Sequence, residues 1–130
     1  IGEAVGLHAA LDFIDSIGRE AIEQYEHELT RYALARLQEV PDLRVHGPVP
    51  DRAGIFAFTL GDIHPHDIAT VLDTHDVAIR AGLHCAHPLG ERLGGATARA
   101  SLAIYNDTQH IDALIDALHA ARRTFGSTRT

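Results

Sequence analysis

Residues 54–60, Gly-Ile-Phe-Ala-Phe-Thr-Leu, constrain the fold more than any other stretch of the chain. The two-residue period of a strand puts Phe56, Phe58 and Leu60 on one face and Ile55, Ala57 and Thr59 on the other. Both faces are largely apolar. Such a strand is expected either to be central and packed on both sides, or to pack one face on helices while the other meets something outside the chain.

Helical and strand patterns surround it. Residues 2–17 carry Val5, Leu7, Ala9, Ala10, Phe13, Ile14 and Ile17 at three- and four-residue spacing, which predicts a helix with one broad buried face, interrupted at Gly18. From Arg19 to Val40 a second stripe, Ile22, Tyr25, Leu29, Ala33 and Leu37, opposes Glu20, Glu23, Glu26 and Glu28 toward solvent. The Val40-Pro41 step ends it, because a residue before proline avoids the helical region. Spacing leaves open whether these are two helices or one bent rod. A short strand is expected over Leu43–His46, followed by a loop with Gly47, Pro48 and Pro50.

Beyond residue 60, a third helix starts within Asp62–Pro65 and runs through Ile68, Val71 and Leu72 to His75. Val77–Arg80 reads as a strand, and Leu89–Leu93 as one or two helical turns before Gly94-Gly95. Ala98–Tyr105 reads as a strand with Leu102 and Ile104 on one face and Arg99, Ser101 and Ala103 on the other. Asn106-Asp107-Thr108 is a cap cluster ahead of a last helix striped with Ile111, Leu114, Ile115, Leu118, Ala121 and Phe125, fraying over residues 126–128. The order predicts an α+β fold: a small mixed or antiparallel sheet covered by helices on one side, in one domain spanning residues 1–130.

Composition narrows the function. A net charge of −7 with histidine neutral argues against nucleic acid, since phosphate binding needs concentrated Lys and Arg. The Arg122-Arg123 pair is read instead as cations complementing a helix end. The apolar runs are short and interrupted, so neither a signal peptide nor a membrane span is expected, and a cytoplasmic, reducing compartment follows by default. All 11 basic residues other than histidine are arginine. Without lysine, no side chain can form the Schiff base that an aldehyde cofactor requires. The chain also lacks methionine and begins at Ile1, where a bulky residue would block removal of an initiator methionine, so it is expected to be a piece of a longer protein.

The chemistry concentrates at Arg80–Pro88, Arg-Ala-Gly-Leu-His-Cys-Ala-His-Pro, which holds the single cysteine. Arg80, His84 and His87 surround Cys85, and Gly82 is expected to let the backbone turn. One fixed and two titratable cations favour the thiolate, the nucleophilic form. A lone cysteine is in general a small buried hydrophobe, but an Arg- and His-rich segment with Gly and Pro reads as an irregular surface loop. A Cys/His metal module is disfavoured, because in extended chain at most Cys85 and His87 converge. His64 and His66, a His-x-His pair without a third ligand at matching spacing, read as solvated helix-entry residues, so no metal is expected. Arg99 stands among small residues that leave room beside its guanidinium. Its fork suits a carboxylate, while pairing with a surface Asp or Glu is an equal alternative.

The segment Arg-Ala-Gly-Leu-His-Cys-Ala-His-Pro-Leu, followed by Ala-Thr-Ala-Arg-Ala-Ser-Leu-Ala-Ile-Tyr-Asn, resembles the C-terminal part of the SUF-type (group II) cysteine desulfurases. These belong, with selenocysteine lyases, to the class V aminotransferase family. Residues 1–7 and 14–18 resemble the stretch where that family's large domain hands over to its small one, so the likeness covers essentially the whole chain. It implies the C-terminal domain of a fold-type I pyridoxal phosphate enzyme that moves sulfur from L-cysteine to a persulfide on the catalytic Cys85, leaving L-alanine, for iron–sulfur cluster assembly.

By the same resemblance Arg99 grips the substrate carboxylate, and Arg80 orders the loop or helps the substrate end of the site. His84 and His87 give support. Pyridoxal phosphate, its lysine and its other partners belong to a large domain absent here. The implied partners are that large domain, a SUF-type sulfur acceptor and a second copy in a homodimer, and the isolated chain is expected to be inactive. Leu83 stands where many members have a second histidine, and the interval before Arg99 lacks a proline common there. A cofactor-free persulfide carrier or docking module, or the small domain of another class V aminotransferase-like enzyme, are the alternatives.

Overall fold

The computed structural model describes residues 1–49 and 51–126. Pro50 and the expected fraying at residues 127–128 lie outside them. Residues 55–60 form β2 (Ile55–Leu60), hydrogen-bonded antiparallel to β1 (Leu43–Val45) on one side and to β4 (Thr97–Ser101) on the other. β3 (Arg80–Gly82) pairs antiparallel with β4, so the sheet order is β1-β2-β4-β3 and every pairing is antiparallel.

The register decides which face becomes core. Phe58 pairs with Val45 and Ala98, and Phe56 with Ala100, so all five lie on one face and all are buried. Three helices cover that face: α2 (Arg19–Gln38), α3 (Pro65–Asp73) and α5 (Thr108–Gly126), contributing Leu29, Leu37, Ile68, Leu72, Ile111 and Leu118. Each large apolar side chain buried in this way is worth about 1.5–3 kcal/mol. The opposite face stays open, with Ile55 exposed and Ala57 and Thr59 half-buried. β2 is therefore internal by hydrogen bonding but helix-covered on one face only, the second of its two expected arrangements.

Polar ties fix the helices to one another. Tyr32 donates to Asp112 Oδ1 at 2.8 Å and Arg36 Nε to the same oxygen at 3.1 Å, joining α2 to α5. Arg122 donates to Asp42 Oδ2 at 2.8 Å, so this arginine serves a tertiary ion pair rather than the helix end alone. Asp107 caps α5, its Oδ1 accepting from the amides of Gln109 at 2.9 Å and His110 at 3.1 Å. His110 donors hold the Asp107 carboxyl below the usual carboxylate range.

Several expectations are corrected. The first helix, α1 (Gly2–Ile17), exists but has no buried residue, and Val5 and Phe13 are 63% and 59% exposed. Its apolar stripe lacks a partner among the described residues, and periodicity reports a face without supplying what covers it. Gly18, at φ 95, separates α1 from α2, so there are two helices rather than one rod. α2 ends at Gln38, and of its stripe Tyr25 is exposed, reaching the carbonyl of Asn106 at 2.6 Å. Glu26 is half-buried, and at the end of α5 Phe125 is exposed.

Two strands shift. The expected Val77–Arg80 strand is displaced to Arg80–Gly82, because pairing with Thr97–Arg99 selects the later residues. β4 ends at Ser101 rather than Tyr105: Asn106 Oδ1 accepts from the Ala103 amide at 2.8 Å and its own amide donates to the Ala103 carbonyl at 2.9 Å, turning the chain. The turns expected near Leu89 form a longer helix, α4 (His87–Leu93).

Candidate active site

The cysteine sits on a tight turn between β3 and α4. The Ala86 amide donates to the Leu83 carbonyl at 2.9 Å, and the two central residues, His84 and Cys85, have φ of 53° and 60°. Positive φ at both positions is the pattern of a type I′ turn, which usually selects Asn-Gly. The reversal expected at Gly82 thus falls on two residues with full side chains, and Gly82 instead closes β3. A left-handed non-glycine residue costs about 1–3 kcal/mol and persists only where its surroundings hold it.

Two contacts hold this one. Leu83 packs so closely on Gly90 of α4 that a Cβ there would lie 2.5 Å from the Leu83 Cδ2 atom. On the other side, His84 Nε2 lies 3.1 Å from the Thr97 carbonyl oxygen and 3.0 Å from its Oγ1. The carbonyl can only accept, so Nε2 carries the proton and Nδ1 carries the lone pair. Nδ1 is buried with no partner.

Beneath the turn lies a pair of cations. Arg80 on β3 and Arg99 on β4 are register partners on the open face of the sheet. The Arg80 guanidinium reaches Cys85 Sγ at 3.7 Å, and Cys85 is exposed. Arg99 makes no ion pair among the described residues, and its Nε is buried without a partner. Its other register neighbour, Ala57, leaves space beside it. Like charges directly opposite one another destabilise a sheet, so the pair is suited to an anion placed between or above the two guanidinium groups.

Burial, the largest cause, pushes the His84 imidazole below its ordinary value; Arg99 and Arg80 push the same way, against the bond to the Thr97 carbonyl. Burial thus favours the neutral ring of His84 over the cationic form expected near the thiol. The fixed cation beside the sulfur is Arg80.

His87 opens α4, is exposed, and its side chain makes no hydrogen bond or ion pair among the described residues. His64 and His66 stack at the start of α3, where His64 Nδ1 accepts from the His66 amide at 3.3 Å. No group of three or more potential metal ligands occurs among the described residues. Two grooves, of 490 and 560 Å³, lie elsewhere and include none of Cys85, Arg80 and Arg99.

Sequence reasoning missed Thr97 and the Leu83–Gly90 contact. Thr97 lies two residues before Arg99, on the same face of β4 by strand alternation, and that period was the available signal. The second contact had none, because α4 is brought to Leu83 by the turn itself.

The family described as Aminotransferase class-V matches residues 1–114. A probable cysteine desulfurase of Streptomyces coelicolor is 50% identical over 129 residues, covering 97% of this chain and 31% of that protein. One from Halalkalibacterium halodurans is 50% identical over 127 residues, with the same 97% and 31% coverage. Among solved structures, a cysteine desulfurase from Thermococcus onnurineus NA1 in its apo form superposes with a TM-score of 0.86 at 33% identity, over 94% of this chain and 31% of that one. The cysteine desulfurase CsdA of Escherichia coli, solved as its S-sulfonic acid, gives 0.84 at 32% identity, over 92% and 30%.

Proposed function

The chain belongs to the class V aminotransferase family and spans 31% of the length of the curated relatives it matches, and we propose that it is the C-terminal small domain, residues 1–130, of a SUF-type cysteine desulfurase. The observation that carries this reading is the exposed Cys85 held 3.7 Å from Arg80, whose register partner Arg99 makes no ion pair among the described residues. Arg99 receives the carboxylate of L-cysteine on its fork, with Arg80 at the same face. The Cys85 thiolate then attacks the substrate sulfur. A sulfur–sulfur bond forms as the carbon–sulfur bond breaks, and the carbon keeps the electron pair and takes a proton to become the methyl group of L-alanine. The persulfide passes its outer sulfur to a SUF-type acceptor protein for iron–sulfur cluster assembly.

Pyridoxal phosphate, implied by the family, does not fit this chain by itself, because there is no lysine to bind its aldehyde. The cofactor and its lysine are assigned to a large domain outside the chain. That domain also accounts for the uncovered apolar face of α1, which carries Val5, Leu7 and Phe13. The complete enzyme is a cytoplasmic homodimer in this reading; among the described residues no helix is long and apolar enough to cross a membrane.

The test uses the complete enzyme and L-cysteine. Mass spectrometry is expected to find the persulfide on the peptide containing Cys85, and Cys85→Ser to retain cofactor while losing sulfur delivery. A serine variant that delivers sulfur normally overturns the reading.

A further inference from the structure

The proposed function needs a nucleophile held in one place, yet the turn that carries it is made of two residues whose backbone conformation opposes their side chains. Restraint must come from contacts beyond the turn. On the Leu83 side the contact is apolar packing against Gly90, which fixes position weakly about the chain axis. On the His84 side it is directional: Nε2 meets both the carbonyl and the hydroxyl of Thr97, a residue 4% exposed on the second strand from the edge.

We propose that Thr97 is a positioning residue for Cys85, acting through His84. The Nε2–H of His84 is shared between the Thr97 carbonyl and Oγ1, and this hook ties the tip of the turn to β4. Thr97 and Arg99 lie on the same face of that strand, so the thiol is referenced to the element that carries Arg99. The hook also selects the tautomer in which Nδ1 lacks a proton. That nitrogen is buried and unpartnered, and it would be an unsatisfied donor in the other tautomer. Burial favours a neutral ring, which keeps the proton count at the hook fixed at neutral pH.

The inference rests on Cys85 as the sulfur-accepting nucleophile, and its test separates the two. Thr97→Val removes the hydroxyl at nearly constant volume, and Thr97→Ser keeps it. In the complete enzyme, Thr97→Val is expected to lower kcat for alanine release about 2- to 10-fold, the range of one hydrogen bond, with KM for L-cysteine changed less than about twofold. Thr97→Ser is expected to restore kcat. Nitrogen-15 spectra of the histidine-labelled protein are expected to show His84 protonated at Nε2 in the wild type and in Thr97→Ser.

Wild-type kcat in Thr97→Val, equal losses in Thr97→Val and Thr97→Ser, or an Nδ1-protonated His84 overturns the hook. A Cys85→Ser enzyme that still delivers sulfur overturns the functional reading instead, and the His84 tautomer then reports the contact alone. Thermal unfolding of each variant checks that a loss of kcat is not a loss of fold.

Discussion

Arg80 and Arg99 stand directly opposite each other across the β3–β4 ladder, two cations on the uncovered face of the sheet. Neither forms an ion pair with a carboxylate among the described residues, and Arg80 turns its guanidinium toward Cys85 Sγ. A sheet gains nothing from this juxtaposition, so its use lies in what binds above it.

For Arg99 the expectation is a binding defect. In the complete enzyme, Arg99→Ala is expected to weaken apparent affinity for L-cysteine by about 1.5–3 kcal/mol, the worth of a charge-assisted pair. Arg99→Lys should recover only part of this, because a single ammonium cannot form the fork. Steady-state kinetics over a range of cysteine concentrations decide it; unchanged affinity in both variants returns Arg99 to a structural role.

Cys85 is exposed, so it should react with iodoacetamide in the folded 130-residue chain without denaturant. Labelling that begins only when urea unfolds the chain would mean the thiol is buried and contradict the nucleophile assignment.

Mixed with pyridoxal phosphate and L-cysteine, the 130-residue chain is expected to release neither sulfide nor alanine, because no lysine is present. Turnover by the chain alone would overturn the assignment of the cofactor to a separate domain.

Acidification should destabilise the fold in a defined direction. Burial is the largest cause lowering both His46 and His84 below the ordinary 6.5, with cations adding to it: Arg44 at His46, and Arg99 and Arg80 at His84. Below pH 6.5 the unfolded chain therefore takes up protons that the folded chain resists. Their contribution is fully present above 6.5 and is lost as pH falls through the lower folded values. The urea midpoint should drop between about pH 7 and about pH 5, and His84→Asn should flatten that dependence. An identical slope in the variant counts against it.

The two faces of β2 should differ in cost. Phe58→Ala removes a side chain with no exposed surface at the centre of the register and should cost about 3–5 kcal/mol. Ile55→Ala, on the open face and 46% exposed, should cost far less in chemical denaturation.

Local patterns of residues set most of the elements and mark the reactive groups. The period-2 run at 55–60, the stripe Ile111, Leu114, Ile115, Leu118 and the Asp107 cap are set by local geometry, and each is found where the pattern puts it. The cysteine segment and Arg99 were legible as reactive groups because no other stretch combines a thiol, an arginine and histidines. The remainder depends on contacts between elements. The strand ends moved because β3 and β4 choose their residues by pairing with each other, across 15 residues between Gly82 and Thr97 and 19 between Arg80 and Arg99. Whether α1 is covered could not be read from its stripe, since a face is a local property and burial needs a second surface. The turn at His84 and Cys85 was invisible for the same reason. Nothing in either residue asks for a left-handed backbone; the conformation is fixed by Leu83 on Gly90 and His84 on Thr97, contacts that exist only once β3, α4 and β4 have met.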